Sequence, residues 1–305
     1  MKVGLNTPRI ESTAHDAQAA ERSGFDYLGC GEHLFFHGPT PNAFIQLAAA
    51  AGATSRIRLV SSIALLPLYP AALAAKLAVT LDQVSHGRFE LGVGAGGEYP
   101  AEFDAVGVDI ASRFRRLDEG LQVMRRLFGG DQVSFSGEYT TLHDVALQPG
   151  PYQAGGPPIW LGGRKRGAIR RAGRLADVWM PYLVEPEKLH DTLAEVRSAA
   201  SDAGRSANAI SGAVFAWTCV DEDGAWARRS GISKVSSTYS QDFTGLADRY
   251  LVLGTPDEVV ARFREFADAG ADRVLIQLAC EPEDRERVMA TLAREVLPRL
   301  QAISD

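Results

Sequence analysis

Residues 57–93 read IRLVSSIALLPLYPAALAAKLAVTLDQVSHGRFELGV, and this stretch decides the fold. Residues 57–66 form a nearly continuous apolar run, which is typical of a strand that is covered on both faces. Residues 71–85 have helical character, and Gly87 closes this segment before a second strand at residues 89–93. Because parallel strands need a crossover connection, a strand–helix–strand unit of this kind predicts a parallel sheet.

The same alternation runs through the rest of the chain. Each of eight predicted strands is followed by a helical segment, and these strands lie at residues 2–6, 25–30, 57–66, 89–93, 157–161, 176–180, 210–220 and 273–279. Eight such units close into a (β/α)8 TIM barrel, an α/β fold that can use residues 1–305 as a single domain. An open doubly wound sheet is the alternative, but the residues after Asn6 lack the glycine-rich phosphate loop of that fold.

Two segments depart from this alternation and are predicted to be small insertions on the barrel. Residues 130–156 contain a hairpin, with aromatic and β-branched residues on either side of Gly137. Residues 221–246 are polar and include several glycines and serines, which predicts an irregular excursion or lid.

Charge and cysteine usage limit the kinds of partner and the compartment. The net charge is −6, which argues against a nucleic-acid backbone or an anionic membrane as the main partner. Cys30, Cys219 and Cys280 are odd in number and include no C-x-x-C pair, which fits a reducing cytosol. The chain starts without an apolar signal core and has no apolar run long enough for a bilayer. We therefore predict a cytoplasmic protein.

Two titratable side chains are candidates for acid–base chemistry, because the active site of a barrel lies where its strands end. His33 follows the second strand, where it is either a general acid or base or a structural histidine bonded within its loop. Glu98 follows the fourth strand, and its alternative role is that of a capping or exposed carboxylate. A metal site that uses His33 and His37 is a weaker alternative, because no third ligand stands out, and we predict no metal.

Other strand ends carry residues suited to a ligand. Ser61 and Ser62 are small polar residues in an apolar strand, so that either a flat ring could lie against the backbone or the barrel packs tightly there. The glycines of residues 92–97 would let backbone N–H groups approach a ligand closely. Gly162 and Gly163 precede a helix and three cations, a combination that favours a phosphate over a merely solvated helix start.

Taken in this order, these stretches resemble the luciferase-like family of flavin and deazaflavin oxidoreductases, and the resemblance covers nearly the whole chain. Residues 81–96, LDQVSHGRFELGVGAG, are the most specific part of it. The other matching positions are Gly24-Phe25-Asp26, Glu32-His33, Ser61-Ser62 with Pro70, Glu102-Phe103 with Gly107, Arg113, residues 116–119, residues 157–163 and residues 254–259.

The resemblance implies a barrel with an insertion, usually dimeric, and a cofactor ring lying over the third strand. A cis non-prolyl peptide is implied at Ser61–Ser62 or Ser62–Ile63, and His33 matches the family's active-site histidine. The cofactor residues implied in this way are Ser61, Ser62 and Ile63 under the ring, Gly94, Ala95 and Gly96 along the cofactor, and Gly162, Gly163 and Arg164 at its phosphate. Glu98 lies near a position where some deazaflavin members carry an acid.

The resemblance leaves two cofactors open. Ala95 stands near the place where true luciferases carry an arginine for the flavin phosphate, which favours the deazaflavin coenzyme F420 and hydride transfer. Glu32-His33 instead resembles the luciferase pair, which favours FMN, oxygen and a partner reductase. We predict an F420-dependent oxidoreductase, with an FMN-dependent monooxygenase and a non-catalytic flavin-binding protein as alternatives.

The substrate is not implied by the resemblance, beyond being a small organic molecule. Asn6, Trp217, Tyr239 and Gln277 lie at or after predicted strand ends. Each of them could contact a substrate or simply pack in the barrel.

Overall fold

The fold was analysed in a computed structural model that describes residues 1–6 and 9–303. Its strands are β1 (Lys2–Asn6), β2 (Tyr27–Cys30), β3 (Arg58–Ser61), β4 (Ala64–Leu65), β5 (Phe89–Gly94), β6 (Val133–Ser136), β7 (Thr141–Val145), β8 (Ile159–Leu161), β9 (Val178–Trp179), β10 (Ser211–Val220), β11 (Val252–Gly254) and β12 (Ala271–Leu278). Parallel pairing runs β1–β2–β3–β5–β8–β9–β10–β12, and β12 pairs with β1. The predicted eight-stranded parallel barrel is confirmed.

Helices surround this barrel. They are α1 (Thr13–Ser23), α2 (Ala43–Ala53), α3 (Ala71–Val84), α4 (Ala101–Ala105), α5 (Arg113–Phe128), α6 (Arg166–Leu175), α7 (Pro186–Asp202), α8 (Gly224–Tyr239), α9 (Ala247–Tyr250), α10 (Pro256–Asp268), α11 (Arg285–Thr291) and α12 (Leu297–Gln301). A π-helical turn at Leu292–Val296 joins α11 to α12. Within the described ranges, no helix combines the length and the apolar character that a bilayer span requires.

Two apolar layers hold the barrel together. The inner layer fills the barrel and consists of Tyr27, Val60, Trp160, Val178, Met180, Ala213 and Leu275. The outer layer is much larger and packs the helices against the strands. A filled interior of this kind leaves the strand ends, rather than the barrel axis, as the place for a ligand.

The inner layer contains one buried carboxylate. Glu90, on β5, accepts hydrogen bonds from Tyr27 Oη at 3.2 Å, Arg58 Nε at 2.5 Å and Trp160 Nε1 at 2.6 Å. A second guanidinium, that of Arg273, lies 3.8 Å from it. The strands β2, β3 and β8 are thus tied to β5 through one side chain.

The prediction of an irregular segment at residues 221–246 is wrong for most of its length, because Gly224–Tyr239 form α8. The Asp223 side chain caps this helix by accepting from the Trp226 backbone N–H at 2.9 Å. Small residues let α8 pack closely on β11, a strand that was not predicted: a Cβ atom at Gly231 would lie 2.3 Å from Leu253. The glycine and the serines that suggested a loop are therefore helix-packing and solvent-facing residues.

The other predicted insertion contains a hairpin outside the barrel. Strands β6 and β7 pair antiparallel, with Phe135 opposite Leu142. Glu119 on α5 fixes the turn, because its carboxylate accepts from the backbone N–H groups of Glu138 at 2.7 Å and Tyr139 at 3.0 Å.

The ion pair between Arg9 and the buried Asp16 gives a testable pH dependence. Asp16 accepts from the Arg9 backbone N–H at 3.0 Å and from its guanidinium at 2.8 and 3.1 Å. Burial alone would raise the pKa of Asp16, but the hydrogen bonds from Arg9 outweigh it and lower that pKa to about 2. A depressed carboxyl pKa stabilises the fold above the unfolded-state value of 3.8, and this contribution is lost as the pH falls towards 2.

Asp16→Asn is therefore expected to lower the free energy of unfolding by about 2 kcal/mol at pH 7. The difference in the free energy of unfolding between variant and wild type should narrow as the pH falls from 4 towards 2. Urea unfolding across this pH range would measure it. The exposed Asp131→Asn is the matched control and should change stability by less than about 0.5 kcal/mol. A gap that stays constant with pH would contradict the role given to Asp16.

Candidate active site

The ends of the strands enclose a cavity of about 380 Å³, which is within the size range of small-molecule sites. The predicted site residues that line it are Ser62, Ile63, Gly94, Ala95, Gly96, Glu98, Gly162, Gly163 and Tyr239. Those that lie elsewhere are His33, Ser61, Arg164, Asn6, Trp217 and Gln277. The cavity therefore collects residues from β3 round to β10, five consecutive strands of the barrel.

One side of the cavity is built by the irregular end of β3. The Ser62–Ile63 peptide bond is cis, at one of the two positions that the resemblance implied. Ser61 is fully buried and bonded to Gly92, donating to its carbonyl at 2.8 Å and accepting from its N–H at 2.9 Å. Ser62 and Ile63 face the cavity, and the Ser62 hydroxyl donates to the Asn6 side chain.

The loop after β5 continues this side with backbone rather than side chains. A Cβ atom at Gly94 would lie 2.0 Å from Ile63, so a larger residue there would fill the cavity or displace its wall. Gly96 has a φ of 60°, which favours glycine. The Arg113 guanidinium, to which the sequence assigned no role, lies against Gly97, and within residues 1–6 and 9–303 its buried Nε has no hydrogen-bond acceptor. The backbone of this loop therefore leaves space for a flat group.

The start of α6 closes the far end of the cavity. Gly163 has a φ of 97°, and a Cβ atom there would lie 2.6 Å from Ala168. Among the described residues no side chain caps the helix, and the Ala168 N–H donates to the Lys165 carbonyl at 2.8 Å, so the N–H groups of Arg166 and Gly167 are the ones that could meet an anion. Arg164 is exposed and donates to the Leu183 carbonyl, outside the cavity lining.

The cation that does line the cavity at this end was not predicted. Arg171 is buried, and it makes a two-pronged ion pair with Asp118, at 2.7 Å from Nε and 3.0 Å from Nη2. Its positive charge is thus matched within the protein, and the helix N-terminus and the glycine backbone are the groups available to a phosphate.

His33 borders a separate, smaller cavity of about 220 Å³ together with Leu65 and Tyr69. Its Nδ1 lies 3.2 Å from both oxygens of Glu102, whose side chain is fully buried. Glu102 also accepts from the Leu34 backbone N–H at 2.6 Å. A carboxylate here is best satisfied when Nδ1 carries the proton, which leaves Nε2 as a proton acceptor.

A second buried carboxylate next to His33 holds the surrounding backbone. Glu32 accepts from the N–H groups of Leu65 at 2.9 Å and Ala43 at 3.1 Å, and from Tyr69 Oη at 3.0 Å. Burial raises the pKa of Glu32, although these donors oppose the shift. Glu32 thus joins the loop after β2 to α2 and β4, which is a positioning role.

The remaining predicted residues form a layer beneath and beside the cavity. Asn6 donates to the Gln277 side chain at 2.7 Å, so this pair packs next to Ser62. Trp217 is 8% exposed, and its ring lies 6.0 Å from that of Tyr239, which lines the cavity. Among the described residues, no group of three or more metal-ligating side chains occurs.

Comparison with known proteins identifies the family of the chain. A family model described as luciferase-like monooxygenase matches residues 2–273. The chain belongs to this family. A protein of Mycobacterium tuberculosis whose name assigns no activity is 34% identical over 185 residues, which is 60% of this chain and 63% of that protein's length.

Two further similarities cover nearly all of the chain. F420-dependent glucose-6-phosphate dehydrogenase of Gordonia bronchialis is 29% identical, with 94% of this chain and 93% of that protein aligned. The crystal structure of a monooxygenase from Streptomyces bottropensis superposes with a TM-score of 0.86 at 28% identity, covering 98% of this chain and 99% of that one. Relatives and structural neighbours include proteins that depend on F420 and one in complex with FMN.

A flavin or a deazaflavin is thus the cofactor of some of the proteins that this chain resembles. The cavity residues fit such a group, because an uncapped helix start lies at one end and a wall of small residues at the other.

Proposed function

We propose that this enzyme uses coenzyme F420 to transfer hydride to or from a small organic substrate. The observation that carries the proposal is the single cavity that runs from the Ser62–Ile63 peptide to the uncapped start of α6. A flat ring and a phosphate could occupy it together. The F420-dependent relative that aligns over 94% of the chain supports this choice of cofactor.

Different residues would bind the ring and the phosphate of the cofactor. Ser62, Ile63 and Gly94 would support the ring, with Ala95 and Gly96 beside it. Gly162, Gly163 and the first turn of α6 would bind the phosphate, with Arg164 and Arg113 as nearby cations. When bound, the cofactor supplies a ring carbon that gives or takes hydride.

Proton transfer would fall to the protein's own side chains. His33 would give or take a proton at Nε2, while Glu102 fixes its ring through Nδ1. Glu98 lines the cavity and is the second candidate acid or base.

An FMN-dependent monooxygenase is the second candidate function. The likeness to the Streptomyces bottropensis monooxygenase supports it. This function would need a reductase as a partner and a cavity that excludes water.

The family resemblance also supports a homodimer, and cysteines that are buried and free support a cytoplasmic location.

A paired titration with F420 and with FMN, followed by fluorescence quenching, tests the proposal. We expect F420 to bind at least about tenfold more tightly than FMN, a difference of about 1.4 kcal/mol. Gly163→Val should weaken binding by about tenfold or more, because the side chain would strain the backbone and crowd Ala168. Gly245→Val is the matched control, since the space around Gly245 is open. A preference for FMN would favour the second function, and binding of neither cofactor would contradict both.

A further inference from the structure

Three rings form one side of the cavity, and we call Tyr182, Phe215 and Tyr239 the aromatic wall. The ring of Tyr182 lies 6.2 Å from that of Phe215 and 6.1 Å from that of Tyr239. Two more rings support Tyr239 from behind: Trp217 at 6.0 Å and nearly perpendicular, and the buried Phe243 at 5.9 Å. Such packing fixes the wall before any ligand arrives.

The order of the strands places the aromatic wall across the mouth from the proposed cofactor ring. The wall comes from the end of β9, from β10 and from the end of α8, whereas Ser62 and Ile63 follow β3. In the order β3–β5–β8–β9–β10, β10 is four strands from β3, which is half of an eight-stranded barrel. A substrate between the two would be sandwiched by aromatic surfaces.

The charges near the wall indicate what kind of substrate fits. Arg171 is the single cation among the described residues that line the cavity, and Asp118 already neutralises it. Glu98 adds a carboxylate to the same lining. Within this lining, an anionic substrate would meet the Glu98 carboxylate and no cation that lacks a carboxylate partner.

The polar groups of the aromatic wall are two phenol hydroxyls. Burial raises the pKa of Tyr182, and the neighbouring Tyr239 raises it further. Burial also raises the pKa of Tyr239. Both hydroxyls therefore stay protonated at neutral pH and can donate to, or accept from, one neutral oxygen atom of a ligand.

We infer that the substrate is a neutral, flat, mainly apolar molecule, aromatic or fused-ring, with a hydroxyl or carbonyl group that meets Tyr182 and Tyr239. This differs from a sugar phosphate such as the substrate named for the Gordonia bronchialis relative. The inference rests on the proposed function only for the position of the cofactor ring.

The test measures binding rather than turnover, with the full chain and three probes in isothermal titration calorimetry. The probes are 2-naphthol, naphthalene and glucose 6-phosphate, each with and without saturating cofactor. We expect 2-naphthol to bind at least about tenfold more tightly than glucose 6-phosphate. It should remain bound when the cofactor is present.

Variants identify the surface that binds. Tyr239→Ala should weaken 2-naphthol binding by about tenfold, through loss of a ring. Tyr182→Phe should weaken 2-naphthol by about two- to tenfold and leave naphthalene unchanged, through loss of a hydroxyl. Tyr152→Ala is the control, because Tyr152 is exposed and packs on His86, away from the cavity.

Each other outcome overturns the inference. Tighter binding of glucose 6-phosphate, or unchanged affinity for 2-naphthol in Tyr239→Ala, would remove the aromatic wall from substrate recognition. Displacement of 2-naphthol by the cofactor would show that the wall holds the cofactor ring instead. The proposed function is contradicted by a different result, namely that neither F420 nor FMN binds. In that case the affinity of the variants for 2-naphthol without cofactor still tests the aromatic wall.

Discussion

Replacing His33 with alanine is expected to lower turnover by about two to four orders of magnitude, while cofactor affinity stays within a few-fold of wild type. The reason is geometric. The buried Glu102 carboxylate lies against Nδ1, and in the mechanism that we propose the opposite nitrogen, Nε2, would exchange a proton with the substrate. His33 lies outside the lining of the main cavity, so its loss removes no surface from the cofactor site.

Steady-state kinetics and cofactor titration on the same preparation measure both effects. His190→Ala is the matched control, because His190 is exposed on α7 and should leave both parameters unchanged. Glu102→Gln keeps the size of the side chain but presents an amide N–H group to Nδ1, which would reverse the protonated nitrogen. It should lower kcat by about tenfold or more with little change in KM. Wild-type turnover in His33→Ala would remove the histidine from the mechanism.

Glu90→Ala is expected to lower the free energy of unfolding by about 3–5 kcal/mol. Glu90 is the shared acceptor for Tyr27, Arg58 and Trp160 inside the barrel. Its removal leaves these donors without that acceptor and opens a space among closely packed side chains. Because the bonded residues come from four different strands, the loss is felt across the barrel.

Urea unfolding followed by circular dichroism measures this loss. Glu138→Ala is the matched control, since the Glu138 ion pair with Arg115 is exposed and should contribute at most about 1 kcal/mol. Glu90→Gln keeps an acceptor oxygen, so its free energy of unfolding should lie between those of Glu90→Ala and Glu138→Ala. Equal stability of Glu90→Ala and Glu138→Ala would show that the buried cluster adds nothing to the fold.

The barrel could be predicted because its strands are covered on both faces. Residues 57–66 and 210–220 are nearly continuous apolar runs, and β3 and β10 lie within them. α8 could not be predicted in the same way. Its buried positions are Ala227, Gly231 and Val235, too small to give the apolar periodicity by which a helix is recognised in a sequence.

The sequence allowed site residues to be predicted at the end of each strand, but it did not allow the contacts between residues of different strands to be predicted. Gly94 and Gly163 could be identified from glycine-rich stretches at strand ends. The contact between His33 and Glu102 joins residues 69 positions apart, and it exists because β2 and β5 both pair with β3 in the sheet. Tyr182 lies in a segment without any recognisable motif, so its place in the cavity emerges only from the fold.

The division of the cavity between two arcs of the barrel has an evolutionary consequence. The cofactor contacts that we propose come mainly from residues 61–98 and 162–171, whereas the aromatic wall and the rings that support it come from residues 182–243. Mutations in residues 182–243 can therefore change which substrate binds while leaving the proposed cofactor contacts intact. Descendants of one ancestral barrel could diversify in substrate by this route, and exchange of residues 182–243 between relatives would be the corresponding way to redirect this enzyme in the laboratory.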